Sequence, residues 1–270
     1  MISICPVCQP TDNGAVMKKV AIVYGVTGGL HPQMFGLAVR LNQMLIRQNF
    51  EVVAHFGFSG GAVVASLMSR GLYHCDNCAT GWLREATEYS SFAKIGGWKI
   101  FSNCYWLLCK GGLLSSQRLH DKVFKHIIPG ELHTPAYAGS WCVSHGKEVL
   151  FKLTEENMSK AVLSSAALPF AISPYKWSNQ DLIDQGYDSL LDKIRFDKKG
   201  HSFFADGGIS SALGVGIIDD ADVIRQAEAE CGYPIPVIGI NLDNVVGAHQ
   251  SEFGSSSWYH KIWEAGWGAV

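Results

Sequence analysis

Two rhythms of apolar and polar positions alternate along the first 70 residues. Residues 20–24 (Val-Ala-Ile-Val-Tyr) form an unbroken apolar run, the pattern of a strand buried on both faces, as in a parallel sheet. A glycine-bearing turn follows at 25–29, and then Pro32, which suits the first turn of a helix. Leu37, Leu41, Met44 and Leu45 recur at helical spacing, predicting an amphipathic helix over 32–48. Residues 50–56 read as a second strand, 57–61 as another glycine turn and 62–70 as a second helix. Strand, turn and helix in succession, repeated once, is the signature of an α/β fold.

Further along, the pattern predicts helices over 80–95, 115–127, 155–167 (stopped by Pro169) and 221–229. It predicts strands at 141–143 and 149–153 around a turn at His145-Gly146, a strand ending with Phe203 and Phe204, and one more over 236–242. Residues 98–114 are crowded with aromatics. No repeat, low-complexity stretch or linker-like shift in composition divides the chain. The expectation is a polar leader over 1–18 and a single domain over 19–270, with a mostly parallel central sheet and helices on both faces.

Composition narrows the classes. Hydrophobic residues make up 47% and charged residues 17%, which argues against disorder and for a substantial core. Lys and Arg number 22 against 24 Asp and Glu, a net charge of -2, so the basic face of a nucleic-acid binder is not expected. Residues 1–17 lack the basic start and apolar block of a signal peptide, and nowhere do the apolar residues run long enough to span a bilayer. Eight cysteines without a secretory signal point to a reducing compartment. A cytoplasmic location is expected.

The candidate chemistry begins at Gly57-Phe58-Ser59-Gly60-Gly61, which fits Gly-x-Ser-x-Gly. A nucleophilic serine on a sharp strand-to-helix turn needs small neighbours, since larger ones would collide with the adjoining strand and helix. The helix that follows this turn offers N–H groups and a positive dipole end to the site, and Gly60, just after the serine, is a candidate oxyanion donor. A serine hydroxyl needs a base. Asp206, at a strand end before Gly207-Gly208, is the candidate; the plainer reading is an Asx turn. Gly28 and Gly29, after the first strand, can present N–H donors to an oxyanion. The spacing Gly25-x-x-Gly28-Gly29 does not match the dinucleotide-binding fingerprint.

These features occur in one order: a glycine-rich turn after the first strand, Gly-x-Ser-x-Gly after the next, and Asp-Gly-Gly far downstream. Together with Ser164-Ser165-Ala166-Ala167-Leu168-Pro169-Phe170 they resemble the patatin-like phospholipases over residues 18–245. The resemblance implies a three-layer α/β/α fold and hydrolysis of lipid acyl esters by a Ser/Asp dyad through an acyl-enzyme. Ser59 is then the nucleophile, Asp206 the base, and no cofactor serves the chemistry. Val26-Thr27-Gly28-Gly29-Leu30-His31 departs from the family's glycine turn, which carries a basic residue where only His31 stands nearby.

Two alternatives stay open on the sequence. One is an α/β-hydrolase triad of Ser59, Asp206 and His249, possible on chain order; the other is a catalytically silent scaffold. His55, just before the serine turn, reads as a packed core histidine. Trp98, Phe101, Tyr105 and Trp106, and in the tail Trp258, Tyr259, Trp263 and Trp267, are candidates for contact with a phospholipid or other acyl-ester surface. Core packing competes for the first group and a homo-oligomer contact for the second, and an activating protein is compatible with both. Cys5/Cys8 and Cys75/Cys78 are two Cys-x-x-Cys pairs, enough for one tetrahedral structural zinc tethering the leader; free thiols or a disulfide are the alternative.

Overall fold

The computed structural model describes residues 17–27, 31–74, 76–89, 112–193, 200–209, 215–218 and 221–241. Its elements run β1 (Lys18–Tyr24), α1 (His31–Arg47), β2 (Phe50–Phe58), α2 (Gly60–Ser69), α3 (Asp76–Tyr89), β3 (Gly112–Leu114) and a helical stretch over 116–127, α4. Then come β4 (Ala136–Cys142), β5 (Lys147–Lys152), α5 (Met158–Ser165), β6 (Phe170–Ile172), β7 (Tyr175–Ser178), α6 (Asn179–Asp184) and β8 (His201–Asp206). The described chain finishes with α7 (Val215–Ile218), α8 (Asp222–Cys231) and β9 (Val237–Ile240).

Among the described residues seven strands form the central sheet. Its heart, β9-β1-β2-β4, is parallel, and β5, β8 and β7 extend it antiparallel beyond β4. The apolar run of β1 serves both faces by simple alternation. Val20, Ile22 and Tyr24 pack with α1, α2, α3 and α5, whereas Ala21 and Val23 pack with Phe56, Phe58 and the α8 residues Ile224 and Ala227. Three layers, α/β/α, follow from that alternation. All ten residues of α2 are buried, so this helix is the centre of the larger core rather than an amphipathic cover.

The strand and helix expectations of the first 70 residues hold, but the expected turn over 57–61 shrinks to Ser59, since Gly60 and Gly61 already belong to α2. Gly57 and Phe58 do not turn but continue β2, because β4 offers Ala138 and Gly139 as ladder partners. Helix α5 is shorter than the expected 155–167 stretch. The leader 1–16, the aromatic stretch 98–111 and the tail aromatics Trp258, Tyr259, Trp263 and Trp267 lie outside the described residues. Of the aromatic segment's end, 112–114 is β3, paired in parallel with β6. Among the described residues no helix is long and apolar enough to cross a membrane.

His55 is a core histidine, fully buried on β2. Its Nδ1 lies 3.0 Å from the Tyr24 hydroxyl, which accepts in turn from Asn42 Nδ2 at 3.2 Å. Tyr24 Oη and Nδ1 share one proton between them in a buried hydrogen bond, while Nε2 has no hydrogen-bond partner among the described residues. Burial pushes this imidazole down to about 3 from its ordinary 6.5, since a charge there would be unsolvated. The unfolded chain then takes up a proton below pH 6.5 that the folded chain refuses. Stability from this group is complete above pH 6.5 and is lost as pH falls toward 3, at about 1.4 kcal/mol per pH unit. Urea denaturation between pH 7 and 4.5 should show that slope, and His55→Gln should flatten it; an unchanged slope in the variant would exclude His55 as its source.

Candidate active site

Strand β4 acts as a ruler that brings two distant residues together. One of its edges is occupied by β5 along residues 137–142. The other edge is shared. β2 runs alongside as far as Phe58 opposite Gly139, and β8 occupies the next positions, with Asp206 opposite Ser140. The ends of β2 and β8 thus meet head to head on neighbouring rungs, and the residue after Phe58 is Ser59. Ser59 Oγ donates to Asp206 Oδ2 at 2.5 Å across 147 residues of sequence.

Small residues make this junction possible. A Cβ on Gly57 would lie 2.3 Å from the Gly61 carbonyl oxygen, and one on Gly207 would lie 2.1 Å from that of Gly139. A Cβ on Gly139 would lie within the Phe58 ring. Ser59 itself has φ 56° and ψ -129°, a conformation that costs a non-glycine residue about 1–3 kcal/mol. Its reward is direction: the chain reverses from β2 into α2 with the hydroxyl at the tip.

Both members of the pair are buried, Ser59 at 3% and Asp206 at 1% exposure. The Asp206 carboxylate is accounted for at both oxygens, since Oδ1 accepts the Gly208 N–H at 2.7 Å. Burial raises its pKa above the ordinary carboxylate value, against the opposing pull of the Ser59 hydroxyl and the Gly208 N–H. A raised pKa makes the carboxylate a stronger base toward the hydroxyl it faces. Gly60 is buried and opens α2, where the first N–H groups have no partner within the helix.

The backbone around the pair is held by the start of the 164–170 block, a segment with no chemistry of its own. Ser165, at the end of α5, accepts the Ser59 N–H on its Oγ at 2.9 Å and donates to the Gly139 carbonyl at 2.5 Å. Two residues on, the Ala167 carbonyl accepts the Asp206 N–H at 3.0 Å. The only signal for this in the sequence is the small-residue block 164–167.

Of the other expected residues, Gly28, Gly29, His249, Cys5, Cys8 and Cys75 lie outside the described residues. Cys78 is half-buried on α3. Among the described residues no cluster of three or more His, Cys, Asp or Glu side chains is placed to hold a metal.

No protein-family model matches the chain, and no curated protein does. Among solved structures, the chain is similar to VipD from Legionella pneumophila, at 12% identity and a TM-score of 0.33 over 74% of this chain and 48% of that one. The chain thus spans about half the length of that protein.

Proposed function

We propose that this chain is a serine acyl hydrolase that cleaves lipid esters with Ser59 as nucleophile and Asp206 as base. The observation that carries this reading is the 2.5 Å hydrogen bond from a serine in a strained strand-to-helix turn to a buried carboxylate. A serine that merely packs needs neither the positive φ nor the unsolvated base.

In the forward step Asp206 takes the Ser59 proton as Oγ bonds to the acyl carbonyl carbon. The negative charge that develops on the carbonyl oxygen is held by N–H groups at the start of α2, led by Gly60, with Gly28 and Gly29 supplying further donors. The alcohol departs with the proton from Asp206, leaving the acyl chain on Ser59. Water then attacks the ester, giving its proton to Asp206, and the carboxylic acid leaves as Ser59 recovers its proton. No metal or cofactor takes part in these steps.

An apolar acyl group suits the surroundings. Leu168, Phe170 and Ile209 are exposed by 46%, 75% and 49%. All three sit within three residues of Ala167 and Gly208, which hold Asp206. Exposed large apolar side chains on the chain segments that flank the Asp206 anchors suit a greasy substrate, and a phospholipid or other acyl-ester lipid met at a membrane surface fits that description.

Turnover of a p-nitrophenyl acyl ester by wild type and Ser59→Ala tests the reading. The variant is expected to lose all measurable turnover while remaining folded; equal rates would reject it. Lipidomics on membranes incubated with the two proteins would then identify the ester cleaved.

A further inference from the structure

We propose that Ser165 is a positioning residue: one hydroxyl that fixes the conformation of Ser59 and commits its backbone N–H. This inference rests on the Ser59/Asp206 reading above.

The turn at Ser59 is not self-maintaining. A non-glycine residue at φ 56° persists only where its surroundings leave no relaxed alternative. The strand ladder of β2 ends at Phe58, so the Ser59 N–H has left the sheet, and it is not yet part of the helix that begins at Gly60. Buried, it would be an unpaired donor. Ser165 supplies the acceptor.

The Ser165 hydroxyl is fully buried and has one proton. That proton goes to the Gly139 carbonyl, which leaves the oxygen lone pairs facing Ser59 and fixes the hydroxyl's direction. Gly139 is the rung opposite Phe58. A single side chain therefore ties the nucleophile's backbone to the strand against which β2 is registered. The same stretch of chain reaches Asp206 through the Ala167 carbonyl. Nucleophile and base are gripped at their main chains from one segment, so their separation is set by the short stretch 165–167 that leaves α5 rather than by two independent loops.

A second consequence concerns the oxyanion. The N–H of Ser59 is spent on Ser165, so it is withdrawn from the donors facing an incoming carbonyl. Gly60 becomes the first N–H of the elbow available to developing charge.

Ser164 is the internal control. It is equally buried and also makes two hydrogen bonds, donating to the Lys160 carbonyl at 2.8 Å and accepting from Trp177 Nε1 at 2.8 Å. Neither bond reaches Ser59 or Asp206. Ser164→Ala therefore reports what losing a buried serine at the end of α5 costs the fold alone.

The experiment compares wild type, Ser165→Ala, Ser165→Cys and Ser164→Ala by three readouts: amide hydrogen exchange at Ser59, the rate of covalent labelling of Ser59 by a fluorophosphonate, and kcat against KM on a soluble ester. Ser165→Ala is expected to speed exchange at Ser59 and to lower labelling and kcat about 10²-fold with KM little changed, the loss typical of a misplaced reacting atom. Ser165→Cys, whose thiol is a weak donor and acceptor, should fall between, and it keeps the test alive if the alanine variant does not fold. Ser164→Ala should match Ser165→Ala in melting temperature but label Ser59 at close to the wild-type rate. The proposal is overturned if Ser165→Ala keeps wild-type exchange and labelling, or if Ser164→Ala loses activity in step with it. Wild type that neither labels at Ser59 nor turns over esters would overturn the dyad reading instead, and hydrogen exchange would still tell whether Ser165 holds the turn.

Discussion

Asp206→Asn is expected to lower kcat by about 10²- to 10⁴-fold, the worth of a positioned general base, while making the protein more stable at neutral pH. The geometry survives the change. The Asn carbonyl oxygen can accept the Gly208 N–H as Oδ1 does now, and the Ser59 hydroxyl can accept from the new amide instead of donating to a carboxylate. What disappears is a buried charge. Because the folded-state pKa of Asp206 lies above its unfolded value of 3.8, the stability linked to its proton is present below that value. It is lost as pH rises through the folded pKa. The variant escapes that loss, by on the order of 1 kcal/mol at pH 7, and its advantage should shrink as pH is lowered toward 4. Wild-type kcat/KM should fall on the acid side through a pKa above 3.8, a limb absent from the variant's residual rate. Thermal melts and pH-rate profiles of the two proteins check both halves. His249→Ala should change little; the opposite pattern, with His249→Ala inactive and Asp206→Asn active, would assign the base elsewhere.

The second large effect is structural. A Cβ on Gly61 would lie 2.2 Å from the Tyr24 carbonyl oxygen and 2.5 Å from that of Gly25. Both are main-chain atoms of β1 and its exit, so no rotamer can move them aside. Nor can α2 retreat, since every one of its residues is buried. Gly61→Ala is therefore expected to cost at least about 3 kcal/mol, the upper part of the range for overpacking. It should also abolish turnover, because the first turn of α2 carries Gly60 and follows Ser59. Gly81 gives the contrast. It lies inside α3, where an added Cβ meets nothing within 4 Å. Gly81→Ala should stabilise by about 0.5–1 kcal/mol through helix propensity alone. Urea denaturation of the two variants measures the difference; a Gly61→Ala protein as stable as wild type would mean that α2 and β1 do not approach as closely as described.

The first half of the fold was legible because local pattern and tertiary role coincide there. An apolar run such as 20–24, bounded by a glycine turn, fits a strand covered on both faces, and the glycines of 57–61 fit a turn where strand and helix approach closely. The pairing of Ser59 with Asp206 was legible in part, since each motif announces a tight turn at a strand end. Other elements left weaker traces. The strands β3 and β6 have three residues each, too short for a period to show. β7 does alternate, with Tyr175 and Trp177 buried, but only over four residues. Helix α6 is not among the expected helices, although Ser178, whose side chain accepts the Asp181 N–H at 3.0 Å, is a serine followed three residues later by an acid. The role of Ser165 left only the small-residue block 164–167, which specifies no hydrogen bond. It arises from which backbone groups are left unpaired where three strands and two helices converge, and that is decided by tertiary structure alone.

The sharing of one β4 edge by β2 and β8 has a consequence for folding as well as chemistry. A slip of β8 by a single residue would carry Asp206 about 3.4 Å along β4 and turn its side chain to the opposite face of the sheet. Such a molecule could keep most of its secondary structure and compactness, yet its serine would face no base. Reactivity at Ser59 is then a gauge of strand alignment more than 140 residues apart in sequence. In refolding experiments the return of fluorophosphonate labelling would mark the moment at which the last antiparallel strand locks into place, later than the recovery of helical signal.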